Sequence, residues 1–344
     1  TVGPLLDSIR TGVGADAAWA SVLTTVPVLC FAAAGLAAPL LAARIGVRAA
    51  IGVALGALAA GLVLRVLGAA ALMLGATLLA AAGIAVAGVL LPVVVRTGFP
   101  TRVGLVTGLY TAALQAGATI GFALSPPLDA ALGGWRPALA SWVVVAVVAL
   151  AVWLVGGRVR VAAPASAEST QPRHSLLRNP LAWVVTAFFG LQAFVAFAVL
   201  SWLSLALIDA GISRGAAGLL LGLLSIVALP VSLLVPPLAA RSGGQSGWIV
   251  ALGVCGSAGM TGFLLAPAAA PVVWALLLGL GMSVFSLALM VIAVRARTAA
   301  DTAALSGMAQ GIGYLIAAAG PFAVGLLHEV SGGWQVPFGL LLVV

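Results

Sequence analysis

Pro39-Leu-Leu-Ala-Ala-Arg-Ile-Gly46 closes one long apolar run of this chain, and Pro236-Pro-Leu-Ala-Ala-Arg-Ser-Gly243 closes another 197 positions later. A second set of echoes stands at an offset of 199: Arg96 with Arg295, Gly108 with Gly307, Gly121 with Gly320, and Gly133-Gly134-Trp135 with Gly332-Gly333-Trp334. The echoes run in the same chain direction, so the chain reads as two parallel repeats. Parallel repeats in a membrane chain are how secondary transporters build a solute site between two bundles.

Composition sets the environment. Charged residues are 6% and hydrophobic residues 63% of the chain, and mean hydropathy is +1.27. A soluble domain carries about a quarter charged residues, so this chain cannot cover a water-facing surface. Runs of about 20 apolar residues, enough to cross the hydrocarbon core, recur along it. No apolar stretch followed by a small-residue cleavage site opens the sequence, which therefore reads as starting inside one helix and stopping inside another. The net charge of +8 does not imply nucleic acid, because the basic residues are all Arg and are scattered through short loops. Cys30 and Cys255 lie in apolar runs and read as small buried hydrophobes; neither metal nor cofactor is expected.

Cutting the apolar runs at loops rich in Gly, Pro or charge predicts a first helix ending near Asp7. Spans follow at 17–42, 48–68, 71–95, 103–125 and 136–156, then 180–208, 215–240, 247–266, 271–294 and 303–327, with a last helix starting near 335. That makes twelve helices with the first and last clipped. Alternate threading gathers Arg44, Arg48, Arg96, Arg102, Arg158, Arg160, Arg173, Arg178, Arg241, Arg295 and Arg297 on one side. Arg10, Arg65, Arg136 and Arg214 fall on the other, with Asp7, Asp16, Asp129, Asp209 and Glu329. The Arg-rich side is cytoplasmic by the positive-inside rule, which puts both termini of a full-length chain inside. Residues 157–179, rich in Ala, Ser, Pro and Arg, read as a cytoplasmic tether between an N-terminal bundle (1–156) and a C-terminal bundle (180–344).

Gly52/Gly56, Gly104/Gly108, Gly117/Gly121 and Gly307/Gly311 are spaced four apart and are expected to let neighbouring helices approach closely. Pro92 and Pro230 are expected kinks.

Twelve spans in two parallel halves resemble the major facilitator superfamily. Its signature loop after the second helix is G-x-x-x-D-R-x-G-R-R. Arg44, Gly46 and Arg48 match that pattern here, while Pro39 and Ala43 replace the first Gly and the Asp. Longer phrases resemble the cyanate/nitroimidazole transporter branch: Val2-Gly3-Pro4-Leu5-Leu6-Asp7-Ser8-Ile9-Arg10, Thr24-Thr25-Val26-Pro27-Val28-Leu29-Cys30, Gly104-Leu105-Val106-Thr107-Gly108-Leu109-Tyr110-Thr111, Phe188-Phe189-Gly190-Leu191-Gln192, Arg295-Ala296-Arg297-Thr298 and Gly311-Ile312-Gly313-Tyr314-Leu315. The resemblance implies a bacterial inner-membrane carrier of a small molecule, cyanate-like or nitroimidazole-like. It works by rocker-switch alternating access, as a monomer, with Arg44, Arg48 and Arg241 in the cytoplasmic gate.

Polar residues inside a membrane span mark the aqueous path. Thr107, Thr111, Gln115 and Thr119 share one helix stripe, and at the 199 offset the first three match Ser306, Gln310 and Tyr314. Both stripes are expected to face a central cavity, with interhelical hydrogen bonding as the alternative. Gln192 beside Phe189 suits a small planar polar solute; Ser283, Ser286 and Tyr110 are weaker candidates. The candidate cargo contacts are thus Thr111, Gln115, Phe189, Gln192, Gln310 and Tyr314. Arg65 is expected to snorkel to the outer interface, with an anion gate as the alternative, and Trp135 and Trp334 to act as interfacial anchors. No acid stands at mid-helix, so coupling to protons, exchange and facilitated diffusion all stay open. No catalytic cluster or phosphate loop points to an enzyme. A broad drug exporter and a non-transporting receptor are the competing readings.

Overall fold

The computed structural model describes residue 2 and residues 5–156, 176–242, 244–296 and 298–344. Most of the expected tether, 157–175, lies outside the described residues. The helices are α1 (Leu6–Val13), α2 (Ala17–Ile45), α3 (Val47–Leu67), α4 (Ala70–Gly98), α5 (Val103–Leu132), α6 (Trp135–Ser141) and α7 (Val143–Gly156). A 3-10 turn at Leu176–Arg178 precedes α8 (Pro180–Asp209), α9 (Arg214–Arg241), α10 (Ser246–Leu265), α11 (Pro271–Met282), α12 (Val284–Arg295), α13 (Ala299–Ser331) and α14 (Gln335–Val343). Ten helical segments among the described residues are long and apolar enough to cross a membrane, matching the ten complete spans read from the sequence.

Where boundaries differ, local chemistry explains the shift. The first helix runs past Asp7 to Val13 and is stopped by Gly14 in the left-handed conformation (φ 65°). The Asp16 side chain then caps α2 by accepting from the Trp19 N–H at 2.8 Å. α5 continues through Pro126 and Pro127 and ends at Gly133-Gly134, whose positive φ values (74° and 148°) turn the chain. Thr298 and Asp301 cap α13 reciprocally: each accepts from the other's backbone N–H, at 3.1 and 3.2 Å. Two expected spans are each divided, at Trp142 (α6/α7) and Ser283 (α11/α12). At both breaks a serine bonds back to its own helix, Ser141 to the Ala138 carbonyl and Ser283 to the Gly279 carbonyl, both at 2.8 Å. Such bonds compete with the backbone ladder. α4 and α9 run on through Pro92 and Pro230 as continuous helices.

The chain divides into two compact units whose limits cut across two helices. Unit 1 holds Thr1–Pro100, Ala116–Arg178 and Ala296–Gly311, and unit 2 holds Thr101–Gln115, Asn179–Arg295 and Ile312–Val344. The first half of α13 therefore belongs with unit 1, and the first half of α5 with unit 2. In unit 1, Ala38, Ala42, Val89, Leu90, Val93 and Ala303 share one core. In unit 2, Leu203, Leu207, Leu224, Phe263, Leu278 and Phe338 form the largest core.

Glycine sets the closest helix approaches, and each unit repeats the other's arrangement. In unit 1 a side chain at Gly61 would meet the Ala76 carbonyl at 2.6 Å, and one at Gly83 would strike the Ala54 carbonyl and come within 2.9 Å of the Leu58 nitrogen. In unit 2 a side chain at Gly259 would meet the Leu278 nitrogen at 2.5 Å, and one at Gly281 would strike the Gly256 backbone. Gly83 and Gly281 occupy equivalent places in α3–α4 and α10–α11. So do Gly108, which faces the Ser232 carbonyl of α9, and Gly307, which faces the Gly35 carbonyl of α2. The parallel repeat seen in the sequence is thus repeated at the level of backbone contacts.

Candidate functional site

Unit 2 collects the aromatic and amide candidates. Phe189 is fully buried on α8, with Tyr314 of α13 edge-on to it at 5.3 Å between centroids and an interplanar angle of 87°. Phe197, two turns along α8, stacks on the other side of Tyr314 at 6.2 Å, and Phe285 of α12 lies 6.1 Å from Phe189. Gly190 and Gly313 make this possible. A side chain at Gly313 would fall 2.7 Å from the Phe189 ring, so the bare backbone of α13 lets Tyr314 reach its neighbours. Gln192 is partly buried, and its Nε2 donates to the Phe189 carbonyl of its own helix at 3.0 Å. Tyr110 of α5 has a buried hydroxyl without a hydrogen-bond partner among the described residues. Tyr110, Phe189, Gln192 and Tyr314 are thereby gathered in one unit, with Phe197 and Phe285 added to the sequence-derived set. Phe285 could not be found from helical spacing, because it sits just past the α11/α12 break.

The other stripe residues are engaged by protein. Thr111 is fully buried, and its hydroxyl donates to the Thr107 and Gly108 carbonyls at 2.8 and 3.1 Å. The Gln115 Nε2 donates to the hydroxyl of Ser232, a fully buried residue of α9. In unit 1 the Ser306 hydroxyl donates to the Val89 carbonyl at 2.7 Å, and the Gln310 Nε2 donates to the Ser306 oxygen at 2.8 Å. Gln310 is 4% exposed and has a second, long contact of 3.5 Å to the Gly88 carbonyl. In this conformation Gln115 donates across to α9, whereas Gln310 donates within α13 to Ser306, whose hydroxyl in turn donates to α4. Gln310 stands three residues after Gly307, which brings α13 against α2, and Gln115 stands seven residues after Gly108, which brings α5 against α9. Ser283 and Ser286 are both buried and bond only to backbone of the α11/α12 junction.

The three expected gate arginines lie at helix ends. Arg44 and Arg241 are exposed in the last turns of α2 and α9. Arg48, at the start of α3, donates from Nη2 to the Leu154 carbonyl at 3.1 Å, while the Trp153 indole donates to the Arg48 carbonyl at 3.0 Å. Arg48 thus ties α3 to the end of α7.

Two outer residues depart from expectation. Arg65 is 4% exposed and buried in unit 1, so it does not snorkel out to a lipid interface. Trp135 is 9% exposed and packs in a core with Ile9, Leu23, Met73 and Leu139. Trp334 instead remains partly exposed. Its indole donates to Asp209 at 3.0 Å, and His328 stacks on it at 3.9 Å.

These features define a multi-pass membrane carrier. The sequence profile described as Major Facilitator Superfamily matches residues 1–321, and the chain belongs to that family. Among its relatives, the 2-nitroimidazole transporter of Escherichia coli K12 is 37% identical over 336 residues, covering 97% of this chain and 85% of the relative. The cyanate transport protein CynX of the same organism is 32% identical over 336 residues, covering 97% and 87%. These two matches place the chain in the cyanate/nitroimidazole branch, and it is a transporter, not an enzyme. Among solved structures, the fucose transporter FucP in its outward conformation superposes with a TM-score of 0.75 at 14% identity, covering 99% of this chain and 92% of that one. The proton:xylose symporter XylE superposes with a TM-score of 0.74 at 14% identity, covering 99% and 89%.

Proposed function

We propose that this protein carries a small polar or anionic solute, cyanate-like or nitroimidazole-like, across the bacterial inner membrane by alternating access. The bodies that move are residues 1–156 and 180–344, joined by a cytoplasmic tether. The observation that supports the cargo class is the group around Tyr314. Phe189 and Phe197 offer ring faces and edges to a flat solute, and Gln192 and the Tyr314 hydroxyl supply a few oriented polar groups, as small-ligand sites require. The relatives' cargoes, cyanate and 2-nitroimidazole, are both small and planar or linear. Gln115 ties α5 to α9 in the present conformation and becomes available to cargo when that contact opens, and Gln310 becomes available by releasing Ser306 of its own helix. Thr111 supports Gln115 one turn away.

The test is uptake into proteoliposomes by a full-length protein, with cyanate and 2-nitroimidazole as cargoes, with and without a pH gradient. Gln192→Leu and Tyr314→Phe should weaken cargo affinity by up to about tenfold each, the worth of one neutral hydrogen bond, while the melting temperature stays near wild type. Unchanged affinity in both variants would remove these residues from the cargo site. The gradient arm decides whether protons are the coupling ion.

Orientation has its own test. A single Cys at Ser169 should react with impermeant thiol reagents only from the cytoplasm, and one at Leu132 only from outside. Labelling of both from one side would overturn the threading.

A further inference from the structure

Three polar groups in unit 1 are buried and have no hydrogen-bond partner among the described residues: Nε and Nη2 of Arg65, Oγ1 of Thr77 and Nε1 of Trp142. They come from three different elements, α3, α4 and the α6/α7 junction. Packing places them at one level. Leu62, Ala80 and Ala146 form one apolar layer across these elements. Met73 and Leu139, with Val66 packed against them, form another. On α3, Arg65 falls between Leu62 and Val66. On α4, Thr77 falls between Met73 and Ala80, four and three residues from each, on the same helix face. On α6/α7, Trp142 falls three residues after Leu139 and four before Ala146, again on the same face.

The chemistry of this layer is one-sided. A guanidinium, an indole N–H and a hydroxyl are all hydrogen-bond donors, and only the hydroxyl can also accept. A guanidinium at 4% exposure with no carboxylate partner among the described residues is costly to bury unless something compensates its charge. The last turn of its own helix offers partial negative charge, but the Val66 carbonyl there already accepts from Arg136 Nη1 at 3.3 Å. Arg136 adds a second positive charge at the same end of unit 1. Among the described residues, what the layer lacks is an acceptor carrying one negative charge.

We infer that Arg65, Thr77 and Trp142 form a binding site for one small monovalent anion, of halide or pseudohalide size, inside unit 1. The apolar layers on either side are four residues apart on α3 and seven apart on α4 and α6/α7, about 6 to 10 Å along the helices, and the three donors occupy the level between them. The inference does not rest on the transport proposal, and its test uses no cargo.

The test is thermal unfolding of the purified protein, followed by tryptophan fluorescence, in buffer with gluconate as the background anion. Sodium bromide replaces sodium gluconate at constant ionic strength. Wild type should show a saturable rise in melting temperature with bromide. Arg65→Gln should show none, and in gluconate alone it should melt no lower than wild type, because it no longer buries an uncompensated charge. Thr77→Val and Trp142→Phe keep the cation but each lose one donor, and should raise the half-saturating bromide concentration about tenfold or more. These two variants carry the test if Arg65→Gln fails to fold. A wild type without saturable bromide dependence, or variants that all retain it unchanged, would overturn the site. Stabilisation by phosphatidylglycerol in halide-free buffer, with no response to bromide, would also overturn it and assign Arg65 to a lipid phosphate.

Discussion

Gly83→Val should destabilise the protein by about 3 kcal/mol, the upper part of the usual cost of overpacking a close-packed contact. The added side chain would strike the Ala54 carbonyl and the Leu58 nitrogen, and both are backbone atoms that yield only if α3 and α4 separate. Gly281→Val should cost as much, because it meets the Gly256 backbone in the equivalent place on α10. At roughly 2–4 °C per kcal/mol, each should lower the melting temperature by about 6–12 °C. Gly56→Val is the control. Nothing lies within 4 Å of a side chain there, so its melting temperature should stay within about 2 °C of wild type. Equal losses at Gly56 and Gly83 would mean that helix approach does not set the cost, and helix propensity could not replace it, because valine is a better helix former than glycine.

Gly307→Val is expected to act on transport more than on stability. Its side chain would meet Pro39 and the Gly35 carbonyl at 2.5 and 2.7 Å, where α13 lies against α2. On the alternating-access cycle proposed above, this contact between 1–156 and 180–344 forms and releases, so a clash here is expected to penalise one conformation and leave the other intact. A penalty of about 1–3 kcal/mol shifts the two populations by roughly 5–150-fold. Initial uptake should fall at least about tenfold, while the melting temperature drops much less than for Gly83→Val. Gly108→Val, facing the Ser232 carbonyl at 2.6 Å, should behave alike. Wild-type uptake in both variants would show that these crossings do not need to form during transport.

The glycine readings show what spacing can and cannot tell. Four-residue spacing puts two glycines on one face but does not say what that face meets. Gly104/Gly108 and Gly307/Gly311 do sit at close helix contacts, whereas Gly56 and Gly117 face open space. The tightest α3–α4 and α10–α11 approaches use Gly61, Gly83, Gly259 and Gly281, none of which is paired with another glycine four residues away. Spans were legible because about 20 apolar residues are a large signal; their ends were less so, since Gly14 and Gly133-Gly134 stop helices more firmly than Asp7 or Pro126-Pro127 do. Among candidate residues, Gln192 and Phe189 were read as an amide among aromatics and Tyr314 from the repeat offset; all three lie in one unit, while Gln310 lies in the other. Arg65 was misjudged because its distance along α3 gives depth but not direction. A charge near an outer helix end can point to lipid headgroups or into its own bundle, and only the packing of α4 and α6/α7 around it decides.

The contacts at Gly108 are made by main-chain atoms of Ser232 and Leu233, whereas Gly307 meets the Pro39 ring as well as the Gly35 carbonyl. A carbonyl is present whatever side chain its residue carries, so the crossing at Gly108 places little demand on the identity of the residues opposite. Positions such as Phe189, Gln192 and Phe197 can therefore change through evolution without a compensating change at that crossing. With the proposed cargo group around Tyr314, such a division of labour would let one scaffold drift from one cargo to another by a few substitutions and would give directed evolution a small set of positions to vary.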